Sequence, residues 1–201
     1  MRNLLFSILT MIGFSGAALA MPAIGQPAPD FTAKDIAGND VTLSALKGKI
    51  VVLEWTNPEC PFVKKFYNVD AMQKLQADMQ AKDIVWISIN SSAKGKGGNL
   101  SADAAKKYIA DNKATPNHYM ADEEGVIGTL YAAKTTPHMY VIDAKGNLAY
   151  MGAIDDKATA DSADITGAKN YVRAAVDSLS TGKTVEVPST QAYGCTVKYK
   201  S

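Results

Sequence analysis

The chain has 201 residues, 47% hydrophobic and 20% charged, with 21 basic against 20 acidic side chains and a formal net charge of +1. That balance suits one globular domain with one core, and it excludes a basic nucleic-acid surface or an acidic tail. Its two cysteines, Cys60 and Cys195, are too few for a disulfide scaffold and leave a redox pair or a single staple.

Arg2 precedes an apolar run, Leu4 to Phe14, and small residues lead to Ala18-Leu19-Ala20. A positive start, a short apolar centre and an A-x-A end predict a secretory signal peptide, residues 1–20, cleaved after Ala20. The apolar centre is too short to span a membrane comfortably, and no cysteine follows the cut to carry a lipid. An exported protein, periplasmic or secreted, is expected, in a compartment where a cysteine pair can oxidise.

Residues 21–182 then read as one domain. Pro22, Pro27 and Pro29 make an extended lead-in. Phe31–Lys34 and Asp40–Leu43 flank Ala37-Gly38-Asn39, a hairpin signal. Ser44 to Leu46 form a one-turn element, ended by Lys47-Gly48-Lys49.

The next stretch carries the chemistry. Ile50 to Leu53 is apolar and β-branched, a buried strand. Trp55 to Glu59 make a turn containing Pro58, and Pro61 follows Cys60 at the favoured first position of a helix. Phe62, Phe66, Val69, Met72, Leu75 and Met79 recur at spacings of three and four, predicting one continuous helix. Cys60 is thereby placed at a helix N-cap. Unpaired N–H groups and about half a positive charge there favour thiolate over thiol. Lys64 and Lys65 add positive charge, whereas Glu59 opposes it. A buried, inert cysteine is the competing reading.

Ile84 to Ile89 is a second buried strand, parallel to the first across the helix. Lys94 to Asn99 reads as a solvated loop. Ser101 to Asn112 is a helix capped by Ser101, with Ala104, Tyr108 and Ile109 inward. His118–Met120 suggests a short strand and Glu123–Tyr131 a short helix. Met139–Ile142 and Leu148–Met151 form an antiparallel hairpin. Tyr171, Val172, Ala175, Val176 and Leu179 mark a last helix, ended by Gly182. Residues 183–201 are a tail with little pattern except around Gly194-Cys195. The class is α/β with a mixed sheet.

These motifs resemble the thioredoxin superfamily, in its redoxin (AhpC/TSA) branch, over residues 22–182. The matching segments are Gly25-Gln26-Pro27-Ala28-Pro29-Asp30-Phe31, Leu43-Ser44 with Leu46-Lys47-Gly48-Lys49, the strand-to-Cys60 turn, and Thr136-Pro137. The resemblance implies a thioredoxin-like fold, a central mixed sheet flanked by helices with an N-terminal hairpin, and a cis-proline at Pro137 beside the active cysteine. The chain departs from the pattern in three places. Cys60-Pro61-Phe62-Val63 has valine where thioredoxins keep a second cysteine, which removes a local dithiol switch. Asn57 stands three residues before Cys60, where peroxiredoxins carry threonine, and Thr56 stands four before. The arginine those enzymes hold at the peroxide has no counterpart except Arg173, on the terminal helix and expected to be solvated. The pattern is closest to peroxiredoxin-like proteins with a single active-site cysteine.

The implied site has Cys60 as nucleophile, Thr56 and Asn57 binding peroxide oxygens, and Thr136 and Pro137 forming the adjacent substrate surface. Cys195 resolves an oxidised Cys60 if the tail folds back. Alternatively it is a permanent staple closing a loop of about 135 residues, worth roughly 4–5 kcal/mol, or it lies elsewhere or pairs between chains. The function implied first is an antioxidant peroxidase reducing hydroperoxides and recharged by an external thiol. Thiol–disulfide exchange with a protein partner is the second, and a non-catalytic binding module with a structural Cys60–Cys195 bond the third. No cofactor, metal, nucleic acid or stable membrane insertion is expected. His138 either faces Cys60 or solvent; with Cys60 and Met139 or Cys195 it offers copper-compatible ligands, but copper-delivering relatives carry two cysteines in one loop. Trp55 and Phe62 line the mouth of the site or pack in the core. Asp155 and Asp156 read as a solvated loop.

Overall fold

The computed structural model describes residues 21–200; the predicted signal peptide lies outside the described residues. The predicted hairpin forms as β1 (Thr32–Lys34) and β2 (Asp40–Thr42), antiparallel. Asp35 holds its turn, accepting from Ala37 N and Asn39 N at 2.9 Å each and facing His118 Nδ1 at 2.9 Å. Burial works against this carboxylate, but these donors outweigh it and hold its pKa at about 2.

The central strand is β3 (Val51–Trp55), buried along its whole length. It pairs in parallel with β4 (Val85–Asn90), which pairs in parallel with β5 (His118–Ala121). After the short β6 (Thr135–Thr136), β7 (His138–Ile142) runs antiparallel on the other side of β3, followed by β8 (Leu148–Gly152). The sheet order is therefore β5-β4-β3-β7-β8. Burial on both faces explains the apolar run Val51–Leu53 that opens β3.

Strand alternation divides the interior into two cores. Val52, Trp86, Met139 and Val141 share one with Cys60 and three helices: α1 (Pro61–Tyr67), α2 (Ala71–Gln80) and, after α3 (Ala102–Asp111) and α4 (Val126–Leu130), α5 (Tyr171–Ser180). Leu53, Trp55, Ile87 and Tyr140 share the other with the hairpin, Ile127 of α4 and Tyr131. Glu54 points into the first core, fully buried. It accepts from Trp86 Nε1 at 2.9 Å, Ser88 Oγ at 2.8 Å and Tyr67 OH at 2.9 Å. Burial pushes its pKa up.

Two local expectations need correction. The apolar stripe after Cys60 is two helices, because Asp70 takes a left-handed conformation at φ 58°, one that Asp tolerates better than most residues. The break turns Val69 out to 46% exposure, and Gln73 Nε2 caps α1 by donating to Tyr67 O at 2.9 Å. On α3, Ala105 rather than Ala104 faces inward.

The tail is held by other segments, not by a pattern of its own. Thr190 N donates to Met151 O at 3.1 Å, and Ala153 N donates to Thr190 Oγ1 at 2.9 Å. A Cβ at Gly152 would stand 2.3 Å from that hydroxyl oxygen. Then β9 (Cys195–Thr196) pairs antiparallel with β6. Beyond it Val197 N donates to Lys134 O at 3.0 Å and Tyr199 OH to Ala133 O at 2.7 Å.

Candidate active site

Cys60 is the N-cap of α1, with extended backbone (φ −69°, ψ 123°) and Pro61 behind it. Its carbonyl accepts from Val63 N at 3.0 Å and Lys64 N at 2.9 Å, starting the helix. The side chain is 2% exposed, and its thiol donates to Thr136 O at 3.0 Å. The Thr136–Pro137 bond is cis.

The β6–β9 register sets Cys195 opposite Thr136, and the two thiols are near enough that each shifts the other's ionisation. Gly194 permits the approach: at φ +135° it lies so close that a Cβ would meet Thr136 O at 2.0 Å.

The two thiols differ electrostatically. Burial opposes ionisation of Cys60. Hydrogen bonds from the Cys195 side chain, Thr136 and the backbone N–H groups of Cys195 and Val63 outweigh it and lower its pKa. Thr136 Oγ1 is buried with no hydrogen-bond partner among the described residues, so it is free to donate to an ionised sulfur. Cys195 is pushed up to about 11, by burial first and then by its hydrogen bond to Cys60 and the charge there; Lys198 and Phe62 N–H pull the other way. Cys60 is therefore the more acidic thiol of the pair. The lysines have a different place from the one expected. Lys65 is buried and turned to Asp155, 3.5 Å away, and Lys64 is exposed; dipolar donors, not these cations, lower the Cys60 pKa.

Of the other predicted residues, Thr56 follows β3, is 1% exposed, and its Oγ1 has no partner among the described residues. The Asn57 carboxamide is already occupied. Its Nδ2 donates to Ser92 Oγ at 3.1 Å and Gly97 O at 3.0 Å, while Oδ1 accepts from Glu59 N at 2.8 Å. It thus pins the glycine-rich loop to the cysteine turn and has no N–H left for a substrate. Pro137 is buried beside Thr136. Arg173 lies on α5, paired with Asp78 at 2.6 Å and away from the sulfurs. Trp55 is fully buried in the core opposite Cys60, donating to Ser91 Oγ at 3.1 Å, so it does not line the mouth. Phe62 does, edge-on to Tyr193 at 5.9 Å. Among the described residues, no group of three or more His, Cys, Asp or Glu is placed to hold a metal.

His138 also belongs to the opposite face. It sits in register with Trp55, its ring 4.6 Å from that of Tyr140. Burial first, and Lys134 second, lower its pKa from 6.5 to about 4. Between those values the unfolded chain binds a proton that the folded chain refuses, so stability falls as pH drops through that window and levels off below it. The expected loss between pH 7.5 and pH 4.5 is about 2–3 kcal/mol. Urea unfolding at the two pH values, beside a His138→Gln protein in which this slope disappears, checks it.

Sequence reading missed the group around Asp155, which is 2% exposed and not in a solvated loop. It pairs with Lys65 and accepts from Tyr193 OH. Only Lys65 stands near Cys60 in sequence, and nothing local in the chain marks the three as partners.

Residues 24–151 match the AhpC/TSA family model. The thioredoxin-like protein YneN of Bacillus subtilis (strain 168) is 29% identical over 122 residues, 61% of this chain; the chain spans 66% of that relative, just under two thirds of its length. An uncharacterized conserved protein from Geobacillus kaustophilus superposes with a TM-score of 0.76 at 26% identity, covering 90% of this chain and 94% of that one. The thioredoxin domain of a thiol-disulfide oxidoreductase from Bacteroides vulgatus shares the fold with a TM-score of 0.50 at 23% identity, over 64% of this chain and 87% of that one. With a five-stranded mixed sheet, a cysteine capping the helix after its central strand and a cis-proline across from it, the chain has a thioredoxin-like fold and belongs to the AhpC/TSA family.

Proposed function

We propose that this protein is an exported thiol–disulfide oxidoreductase whose working couple is Cys60 and Cys195. The observation that carries this reading is the β6–β9 register, which sets Cys195 opposite Thr136, the residue whose carbonyl accepts from the Cys60 thiol. In the first step the Cys60 thiolate attacks a partner's disulfide. A Cys60–partner bond forms, the partner's bond breaks, and its second sulfur leaves as a thiolate that takes up a proton. Cys60 then carries no charge, so the two contributions from Cys60 that raise the Cys195 pKa disappear. Cys195 next loses its proton and attacks Cys60. The partner departs with both sulfurs reduced, the Cys60–Cys195 disulfide holds the oxidation, and an external thiol reductant restores the dithiol.

A second reading is favoured by burial: Cys60 lies behind the tail at 2% exposure, which admits a small oxidant more readily than a protein. A hydroperoxide would transfer one oxygen to the thiolate and leave as an alcohol or water. Cys195 would then displace hydroxide from the sulfenate, closing the disulfide with release of water. The available polar groups on this route are the hydroxyls of Thr56 and Thr136, since Asn57 is occupied and Arg173 is remote.

The test is mass mapping of the reduced protein after one equivalent of oxidised glutathione or of hydrogen peroxide, with rates. Faster Cys60–Cys195 bond formation with glutathione disulfide supports exchange, and faster formation with peroxide supports the second reading. No bond with either sinks both. A bond that then resists mild thiol reductant points to a structural staple. Export is tested separately, by finding a mature N-terminus at Met21 in a periplasmic extract.

A further inference from the structure

We propose that Tyr193 is a positioning residue: with the buried Asp155–Lys65 pair it latches the tail so that Cys195 lies over Cys60. This inference deepens the two-cysteine reading above and rests on it.

The latch stands on four observations. The Lys65 and Asp155 side chains are 0% and 2% exposed and 3.5 Å apart. A buried ion pair is costly to assemble and costly to leave half-made, so its partners are strongly constrained. Lys65 Nζ donates to Lys157 O at 2.7 Å, and Asp155 accepts from Lys157 N at 3.0 Å. The remaining contact comes from the tail: Tyr193 OH donates to Asp155 Oδ1, and Lys65 Nζ lies 5.6 Å from the Tyr193 ring. Finally, Tyr193 packs edge-on to Phe62, the second residue of α1.

Chain positions give this cluster its effect. Lys65 lies on α1, the helix that Cys60 caps; Asp155 follows β8; Tyr193 is two residues before Cys195. The β6–β9 ladder is only two residues long, too short to hold a strand by itself. Thr190 ties down the tail five residues before Cys195 and Tyr193 supplies the nearer anchor on that side, while Val197 and Tyr199 anchor the far side. Release of Tyr193 moves Cys195 away and uncovers Cys60 together with the β6 edge. The Tyr193 contact therefore bears on both how readily Cys195 resolves Cys60 and how openly Cys60 meets a partner.

Tyr193→Phe keeps the ring against Phe62 and Lys65 and removes only the hydroxyl. Two quantities are measured on the full mature protein. The first is the equilibrium in which the dithiol and one oxidised glutathione give the Cys60–Cys195 bond and two glutathione thiols. The second is the rate at which a bulky maleimide alkylates Cys60 in the reduced protein, with modified sites mapped by mass. The expected result is an equilibrium constant lowered about tenfold, the scale of one hydrogen bond to a charged group, and a Cys60 alkylation rate raised by a similar factor. A purely structural tyrosine would lower the unfolding midpoint and move neither. If the wild type closes the bond and Tyr193→Phe changes neither quantity, the latch is wrong and the two-cysteine reading survives. If the wild type closes no bond, that reading fails, and the alkylation rate alone decides the latch: raised supports it, unchanged overturns it.

Discussion

Reduced Cys195→Ser protein, given a disulfide-bearing partner, is expected to stop at a mixed disulfide on Cys60. The first step needs only the Cys60 thiolate, which keeps the Val63 N–H donor and Thr136. A serine hydroxyl on β9 still hydrogen-bonds but cannot attack a disulfide, so release depends on thiols from solution. Replacing a tethered nucleophile in contact with its target by a free one lowers turnover by roughly a hundredfold or more. Cys60→Ser should abolish turnover and trap nothing. Non-reducing electrophoresis and intact mass of the two variants read this directly. A Cys195→Ser protein that turns over at the wild-type rate would remove Cys195 from the cycle.

Gly194→Ala should have a comparable effect without touching either sulfur. The added Cβ would meet Thr136 O at 2.0 Å, with the backbone at φ +135°. The neighbour is a backbone carbonyl that also accepts from the Cys60 thiol, so it has little room to yield. Strain of this kind costs about 1–3 kcal/mol, and it is relieved by moving β9 off β6. The expected result is a Cys60–Cys195 equilibrium constant lowered by about 10–100-fold. The first attack by Cys60 should persist, and mixed disulfides should accumulate as they do in Cys195→Ser. Titration against a glutathione redox buffer measures the equilibrium constant; an unchanged value would mean that the tail closes over Cys60 by another route.

Much of this architecture is legible locally. The hairpin around Gly38, the buried strand before Cys60, Pro61 behind it and the helices over 101–112 and 171–179 each depend on neighbours a few residues apart. Periodicity, turn residues and caps report such interactions directly. Where the helix after Cys60 was misread, a single residue was the cause. Asp70 adopts a conformation that a stripe of apolar side chains does not reveal, and one continuous helix became two.

By itself, the sequence determined the mixed α/β class, the order of elements, and Cys60 as an N-capping thiol. These follow from short-range backbone preferences and from the pattern of apolar side chains. Only the tertiary structure decided which groups the thiol meets. Strand alternation sent Trp55 and His138 to the far face of the sheet and Glu54 to the near one. It also placed Lys65 against Asp155 and Tyr193, which makes Lys65 a structural charge and not a neighbour of the thiolate. Above all it laid a weakly patterned tail along β6 and brought Cys195 to Cys60 across 135 residues of chain. That tail is held by the carbonyls, glycines and buried charges of other segments, and contacts made at such sequence separation leave no periodic trace in the segment they hold.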